Sequence, residues 1–330
     1  MIIKERSIPL RLLILQALLR RLPLSHEKYQ QVLEEVGRRS AGYQGEKALD
    51  YYYRLLPQQK YMIFHDLNLP DGDYNCQIDT FLLTPEFGLI IDVKNMAGKL
   101  TFDTDNEQFI QNNNEKEKGY DYPIAQAERH KKYIQELLRA HHFPPVPIVY
   151  LVVISNSYAS YIVTGKNSYK VKPRICKADV MLNRIEYVEK TFTEPVLTKK
   201  DLRKLGRLLL KMNTPPTIQI LKKYGIQKTD LLTGVHCPFC KHLHLIRKKQ
   251  QWYCTSCDSY SKDAHIQALM DYFLLVDLKI TNMEFRRFVR LGSIHIAGRL
   301  LLSANLDYTG KNKTRVYFMK NFPTQISIRE

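Results

Sequence analysis

Hydrophobic positions along the chain change period several times. From Ile8 to Leu19 apolar residues crowd a helical pattern that carries Arg11 inside it, and Pro23 separates this run from a second helical stretch reaching about Gly42. Ala48, Leu49, Tyr52 and Leu55 supply an apolar face at helical spacing and predict a helix from Gln44 to Leu56. The pattern then turns strand-like. Tyr61 to Leu67, Cys76 to Leu83 and Gly88 to Val93 read as strands, separated by turns at Gly72 and at Thr84-Pro85-Glu86. Lys99 to Phe102 and Gln108 to Ile110 give weaker strand signals. Pro123 opens a long helix to about His141, Val146 to Ser155 is an apolar, β-branched run, and Ile175 to Val188 predicts a strand and a helix. The pattern is mixed α/β, with a mixed central sheet flanked by helices.

The C-terminal part differs. A basic amphipathic helix is predicted from Lys199 to Met212, and Thr214-Pro215-Pro216 is the best linker candidate. Asp263 to Asp277, Asn282 to Leu291 and His295 to Leu306 predict three helices, the last two joined by Leu291-Gly292-Ser293. A basic tail, Lys311-Asn312-Lys313-Thr314-Arg315, precedes the strand-like Val316-Tyr317-Phe318. Helix, glycine-containing turn, helix and basic wing is the outline of a winged helix-turn-helix.

Charge narrows the partners. A formal net charge of +17 favours polyanions, nucleic acid ahead of an acidic membrane surface. No run approaches the roughly 20 apolar residues that a membrane span needs, and no signal-peptide cleavage pattern follows a basic start. A cytoplasmic protein without a membrane partner is the plain expectation.

The candidate chemistry sits on the strands. Asp79 and Asp92 come from successive strands joined by a tight turn, so their carboxylates can converge on one cation, Mg²⁺ or Mn²⁺. Asp92 and Lys94 are two apart on a strand and share a face. A lysine there could orient water, take its proton, or neutralise charge building on phosphorus. Asp92 ends a run, Leu89-Ile90-Ile91, where an unpaired charge would be costly. A structural ion pair with Lys94 is the bland alternative.

Gly42-Tyr43-Gln44-Gly45-Glu46, Gln77-Ile78-Asp79, Asp92-Val93-Lys94-Asn95 and Tyr122-Pro123-Ile124-Ala125-Gln126 with His130 follow in the order seen in the nuclease-related domain (NERD) family. The stretch from about Gly42 to Ser155 therefore resembles that family, which is grouped with the restriction-endonuclease-like PD-(D/E)xK superfamily. The resemblance implies a restriction-endonuclease-like fold and phosphodiester hydrolysis. It implies metal carboxylates at Asp79 and Asp92, a catalytic lysine at Lys94, the acidic residue of the first helix at Glu46 and the polar residue of the later helix at Gln126. The family more often has Glu where Asp92 stands and Asn where Tyr122 stands. Read from its residues, Glu46 at a helix start could equally complement the helix dipole, and His130 reads as packed or surface.

Of six cysteines, Cys237, Cys240, Cys254 and Cys257 form two Cys-x-x-Cys knuckles. That spacing predicts a structural zinc ribbon, ahead of a redox or iron–sulfur role. Arg247, Lys248, Lys249 and Trp252 lie between the knuckles as candidate nucleic-acid contacts, with Trp252 as a stacking aromatic. The alternative is a solvated hairpin whose tryptophan packs on the ribbon. Arg286, Arg287 and Arg299 are further candidates in the helix-turn-helix.

The expected domains are a helical segment over 1–41, the nuclease-related domain over 42–197, a basic helix and linker over 198–233, the zinc ribbon over 234–262 and the winged helix-like segment over 263–330. The expected function is metal-dependent hydrolysis of nucleic acid, DNA ahead of RNA. The alternative is a catalytically silent nucleic-acid-binding or regulatory protein that retains the fold.

Overall fold

A strand can bury both faces only when layers cover both, and the first half of the chain meets that condition. The computed structural model describes residues 1–72, 74–214, 218–311 and 314–319. Pro215 and Pro216 of the linker candidate, and Asn312 and Lys313 of the basic tail, lie outside the described residues. Two compact units form, Met1–Pro9 with Arg39–Pro216 and Leu10–Arg38 with Thr217–Glu330.

Strand β1 (Ile2–Lys4) precedes helices α1 (Leu10–Arg21), α2 (Tyr29–Ala48) and α3 (Asp50–Leu55), and then come β2 (Met62–Asp71), β3 (Tyr74–Leu83) and β4 (Gly88–Lys94). Strands β5 (Lys99–Asp103), β6 (Gln108–Asn113) and β7 (Lys116–Tyr120) lead to α4 (Pro123–Ala140) and β8 (Ile148–Ile154). Strand β9 (Ser160–Thr164), the short α5 (Ser168–Val171), β10 (Ile175–Lys177), α6 (Met181–Thr191) and α7 (Lys199–Met212) follow, and of all these elements α1 and the start of α2 belong to the second unit. The central sheet has six strands in the order β1-β2-β3-β4-β8-β10, with β4 antiparallel to β3 and parallel to β8. A second sheet has the order β7-β6-β5-β9.

Along β4, Leu89 and Ile91 pack with Tyr53, Met181 and Ile185, whereas Ile90 packs in the core that contains Ile124, Ala127 and Ile134 of α4. Asp92 and Lys94 are in phase with Ile90, so they belong to the α4 face. That phase places the candidate chemistry.

Two local expectations change. The region from Tyr29 to Ala48 is one helix, so the helix expected from Gln44 is the end of α2, followed by a separate α3. Gly42 reads as the end of the first segment but sits inside α2 with Gly37 and Gly45; at Gly37 and Gly42, where a Cβ would meet nothing, glycine costs the helix about 1 kcal/mol against Ala. The N-terminus, read as helical, begins with β1, whose three residues are too few to show a period.

In the second unit, α1 packs through Leu15 and Leu18 with Val32, Ile220 and Leu275. The buried Arg21 meets Asp271 at 2.7 Å, and Arg20 meets the same carboxylate at 2.7 Å. Helix α8 (Ile220–Tyr224) precedes a small sheet of β11 (Ile246–Lys248), β12 (Gln251–Tyr253) and β13 (Tyr260–Ser261). Next come α9 (Ala264–Leu275), β14 (Lys279–Thr281), α10 (Asn282–Val289), α11 (Ile294–Ser303), β15 (Asp307–Thr309) and β16 (Val316–Phe318). The sheet order is β14-β16-β15, antiparallel throughout. The cysteine-bearing sheet and helices α9, α10 and α11 share one core, in which Leu245 and Trp252 cluster with Ala268, Phe285 and Leu301.

Candidate active site

Residues from the middle of β3, the end of β4 and the first turn of α4 meet. Asp79 Oδ2 accepts a hydrogen bond from the Val93 N–H at 2.8 Å. Lys94 Nζ lies 2.8 Å from Asp92 Oδ2 and donates to Gln126 Oε1 at 3.1 Å. Pro123 begins α4, where its missing N–H costs nothing, which sets Gln126 one turn in. The structure thus brings together Asp79, Asp92, Lys94 and Gln126.

Electrostatics in the cluster are strong. Burial, then the charge of Asp92, pushes the Asp79 carboxyl up to about 6, against Lys94 and the Val93 N–H. Burial also raises Asp92, opposed by Lys94. Burial works against the lysine's charge, but Asp92 and Asp79 outweigh it and hold Lys94 as an ammonium. His130 is lowered by burial, with Asp79 and Lys94 pulling it in opposite directions.

Asp92 is 4% exposed, and among the described residues the one charge on its Oδ2 is the Lys94 ammonium at 2.8 Å, which leaves lone pairs of the carboxylate free. A buried carboxylate oxygen with spare acceptor capacity, next to a second carboxylate, fits a hard divalent cation. Asp79 and Asp92 would hold it.

Glu46 lies near the C-terminal end of α2, where the helix dipole disfavours a carboxylate, so the dipole explanation does not apply. Arg6 takes that part, with Nη1 2.7 Å from Glu46 Oε2 and Nε 3.0 Å from Asp50 Oδ1. The same guanidinium contacts His65 Nδ1 at 3.0 Å and donates to Thr80 Oγ1 at 3.2 Å. Burial, then the charge of Asp79, raises the Glu46 carboxyl against the pull of Arg6. Gly45 explains how α2 comes so close: a Cβ there would lie 2.3 Å from Asn95 Cβ and 2.6 Å from Ser155 Oγ. Asn95 in turn donates to Ala41 O at 2.6 Å. Sequence reasoning missed Arg6, because nothing in spacing links a residue of the N-terminal arm to Glu46 forty positions later.

The four cysteine sulfurs lie within 4.8 Å of one another, with Cys237–Cys257 at 3.7 Å and Cys240–Cys254 at 3.5 Å. Tetrahedral zinc with bonds of about 2.3 Å needs sulfurs about 3.8 Å apart. The donor set is compatible with a closed, structural zinc site.

Trp252 is 1% exposed, and its Nε1 donates to His265 Nδ1 at 3.2 Å, so it is a core residue and presents no ring for base stacking. Lys248 and Lys249 are exposed, and Arg247 sits over the Trp252 ring at 5.4 Å. Arg286 donates to Gly292 O at 2.9 Å, and Arg287 and Arg299 lie on α10 and α11. Among the described residues no helix is long and apolar enough to cross a membrane.

No curated protein and no solved structure matches the chain to significance. Residues 41–155, which carry β3, β4, α4 and every residue of the acidic-lysine cluster, do match one family model, that of the nuclease-related domain.

Proposed function

We propose that the chain is a divalent-metal-dependent nuclease that hydrolyses phosphodiester bonds, in DNA ahead of RNA, with its second unit holding the nucleic acid. The observation that carries this reading is the juxtaposition of Asp79, Asp92, Lys94 and Gln126 inside the nuclease-related domain. Asp79 and Asp92 would hold Mg²⁺ or Mn²⁺, which supplies Lewis acidity and lowers the pKa of water. Val93 N–H fixes the Asp79 carboxylate, so one of the two ligands is oriented before any cation binds. Lys94, kept cationic by its two aspartates, donates hydrogen bonds and offsets charge on the phosphate instead of removing a proton. Gln126 holds the ammonium in place. Glu46, in reach of Asp79's charge, is a further carboxylate for the site.

One feature favours the silent alternative: Glu46 is engaged by Arg6. The two readings separate in a cleavage panel of plasmid, linear duplex, single-stranded DNA and RNA with Mg²⁺ or Mn²⁺. Metal-dependent products support the nuclease and identify its substrate. Tight binding without turnover of any of them supports the silent binder.

A further inference from the structure

The second unit contains a cleft of about 360 Å³ between the cysteine-bearing hairpin and α11. That volume falls near the lower end of ligand-holding clefts, about 300–1,000 Å³. Arg247, Lys249 and Gln250 line it from the hairpin, and Arg299 and Ser303 from the helix. Among the described residues no carboxylate lines it. Arg247 Nε and Nη1 are buried with no hydrogen-bond partner among the described residues, an arrangement that costs free energy until an acceptor completes it. Burial, then the like charge of Arg299, lowers Arg247, so the two guanidiniums repel each other. The guanidinium of Arg247 is also held, lying over the buried Trp252 ring, which His265 fixes. A pre-positioned arginine loses little entropy on binding, and its fork matches phosphate oxygens. A second cleft on α10 has its arginines partly engaged, Arg286 donating to Gly292 O and Arg290 to Thr233 Oγ1, although Arg286 Nε is also buried without a partner among the described residues.

We infer that the cleft between the hairpin and α11 binds a backbone phosphate of nucleic acid, clamped by Arg247 and Arg299. This deepens the nucleic-acid reading above and rests on it. It also assigns the shared core of the cysteine-bearing sheet and helices α9, α10 and α11 a purpose: the core fixes the spacing of the two arginines. The strand is then gripped at the flank of α11 by two modules at once.

The test is the salt dependence of duplex binding by the zinc-loaded full chain without added Mg²⁺ or Mn²⁺, with Arg247→Gln, Arg299→Gln and the double variant. Each phosphate contact contributes roughly 0.9 to the slope of log K against log salt. The double variant should lower the slope by up to about 2, and Arg299→Gln alone by up to about 1. Arg299 is exposed, so its variant carries the test if Arg247→Gln disturbs the ribbon; zinc content and melting show whether it does. A wild-type slope in a folded double variant overturns the inference, and Lys94-dependent cleavage that persists leaves the nuclease reading intact. Inorganic phosphate that binds the wild type and not the variants, with the duplex slope unchanged, assigns the cleft to a small anion and also overturns it. A wild-type chain that binds no nucleic acid even at low salt overturns both.

Discussion

Arg6 Nη1 lies 2.7 Å from Glu46 Oε2, joining the arm that follows β1 to the helix carrying a candidate site carboxylate. The Arg6 side chain is 4% exposed and that of Glu46 17%, so neither charge is well hydrated. Removing one partner of such a pair strands the other, which costs about 3–5 kcal/mol when burial is complete. Arg6→Ala should therefore lower unfolding stability by about 3 kcal/mol, measured by denaturant titration. Adding Glu46→Gln should recover part of the loss. Equal stabilities for wild type and Arg6→Ala would show that the pair does not hold α2.

Gly45→Ala sets a Cβ against Asn95 Cβ and Ser155 Oγ. A Cβ atom next to the backbone cannot swing aside, so overpacking should cost about 1–3 kcal/mol and reduce cleavage by moving Glu46. Gly42→Ala is the control. Nothing lies within 4 Å of a Cβ there, and alanine should stabilise the helix by up to about 1 kcal/mol. A melting comparison of both variants checks this; if Gly45→Ala also stabilises, α2 is not closely packed at that point.

The chain has one tryptophan, and it is the buried Trp252, two residues from Cys254. Its emission should shift to the red when a strong chelator strips zinc, or in Cys254→Ser, because the core of the second unit then opens around the indole. Zinc loss with unchanged emission would separate the metal from that core.

Burial, then Arg247, lowers His265 to about 4, and its Nδ1 must be unprotonated to accept the Trp252 N–H. The unfolded chain binds this proton near pH 6.5, so between about 6.5 and 4 it holds more protons than the native state. Stability should therefore fall as pH falls through that window. Urea titrations of wild type and His265→Gln at pH 7.5 and pH 5 read the difference, and the variant should lose less stability on acidification. Identical pH dependence would place His265 outside the linkage.

Much of this was legible in the sequence, for physical reasons. β4 was readable because strands buried on both faces carry unbroken apolar runs, and Asp92 stood out against that run. The cysteine knuckles were readable because ligand spacing is local. Long-range partners were not. Arg6 has no sequence signal, and neither do Arg20 and Arg21, which meet Asp271 about 250 residues later. The end of α2 was misplaced because glycine usually punctuates, whereas Gly45 sits mid-helix for close approach to Asn95. Trp252 read equally as a stacking aromatic at the end of a basic stretch and as packing on the ribbon, and its burial assigns it to the core.

The most direct measurement is single-turnover cleavage by wild type and Lys94→Ala on the substrate the panel selects, at enzyme concentrations that saturate binding in both. Lys94 acts through charge beside Asp92 and Gln126, so its loss should slow cleavage by roughly 100-fold or more while the variant still folds and binds, with a lowered melting temperature because Asp92 loses its partner. Cleavage at the wild-type rate by the folded variant would contradict the account, and the cluster would then be a structural ion pair.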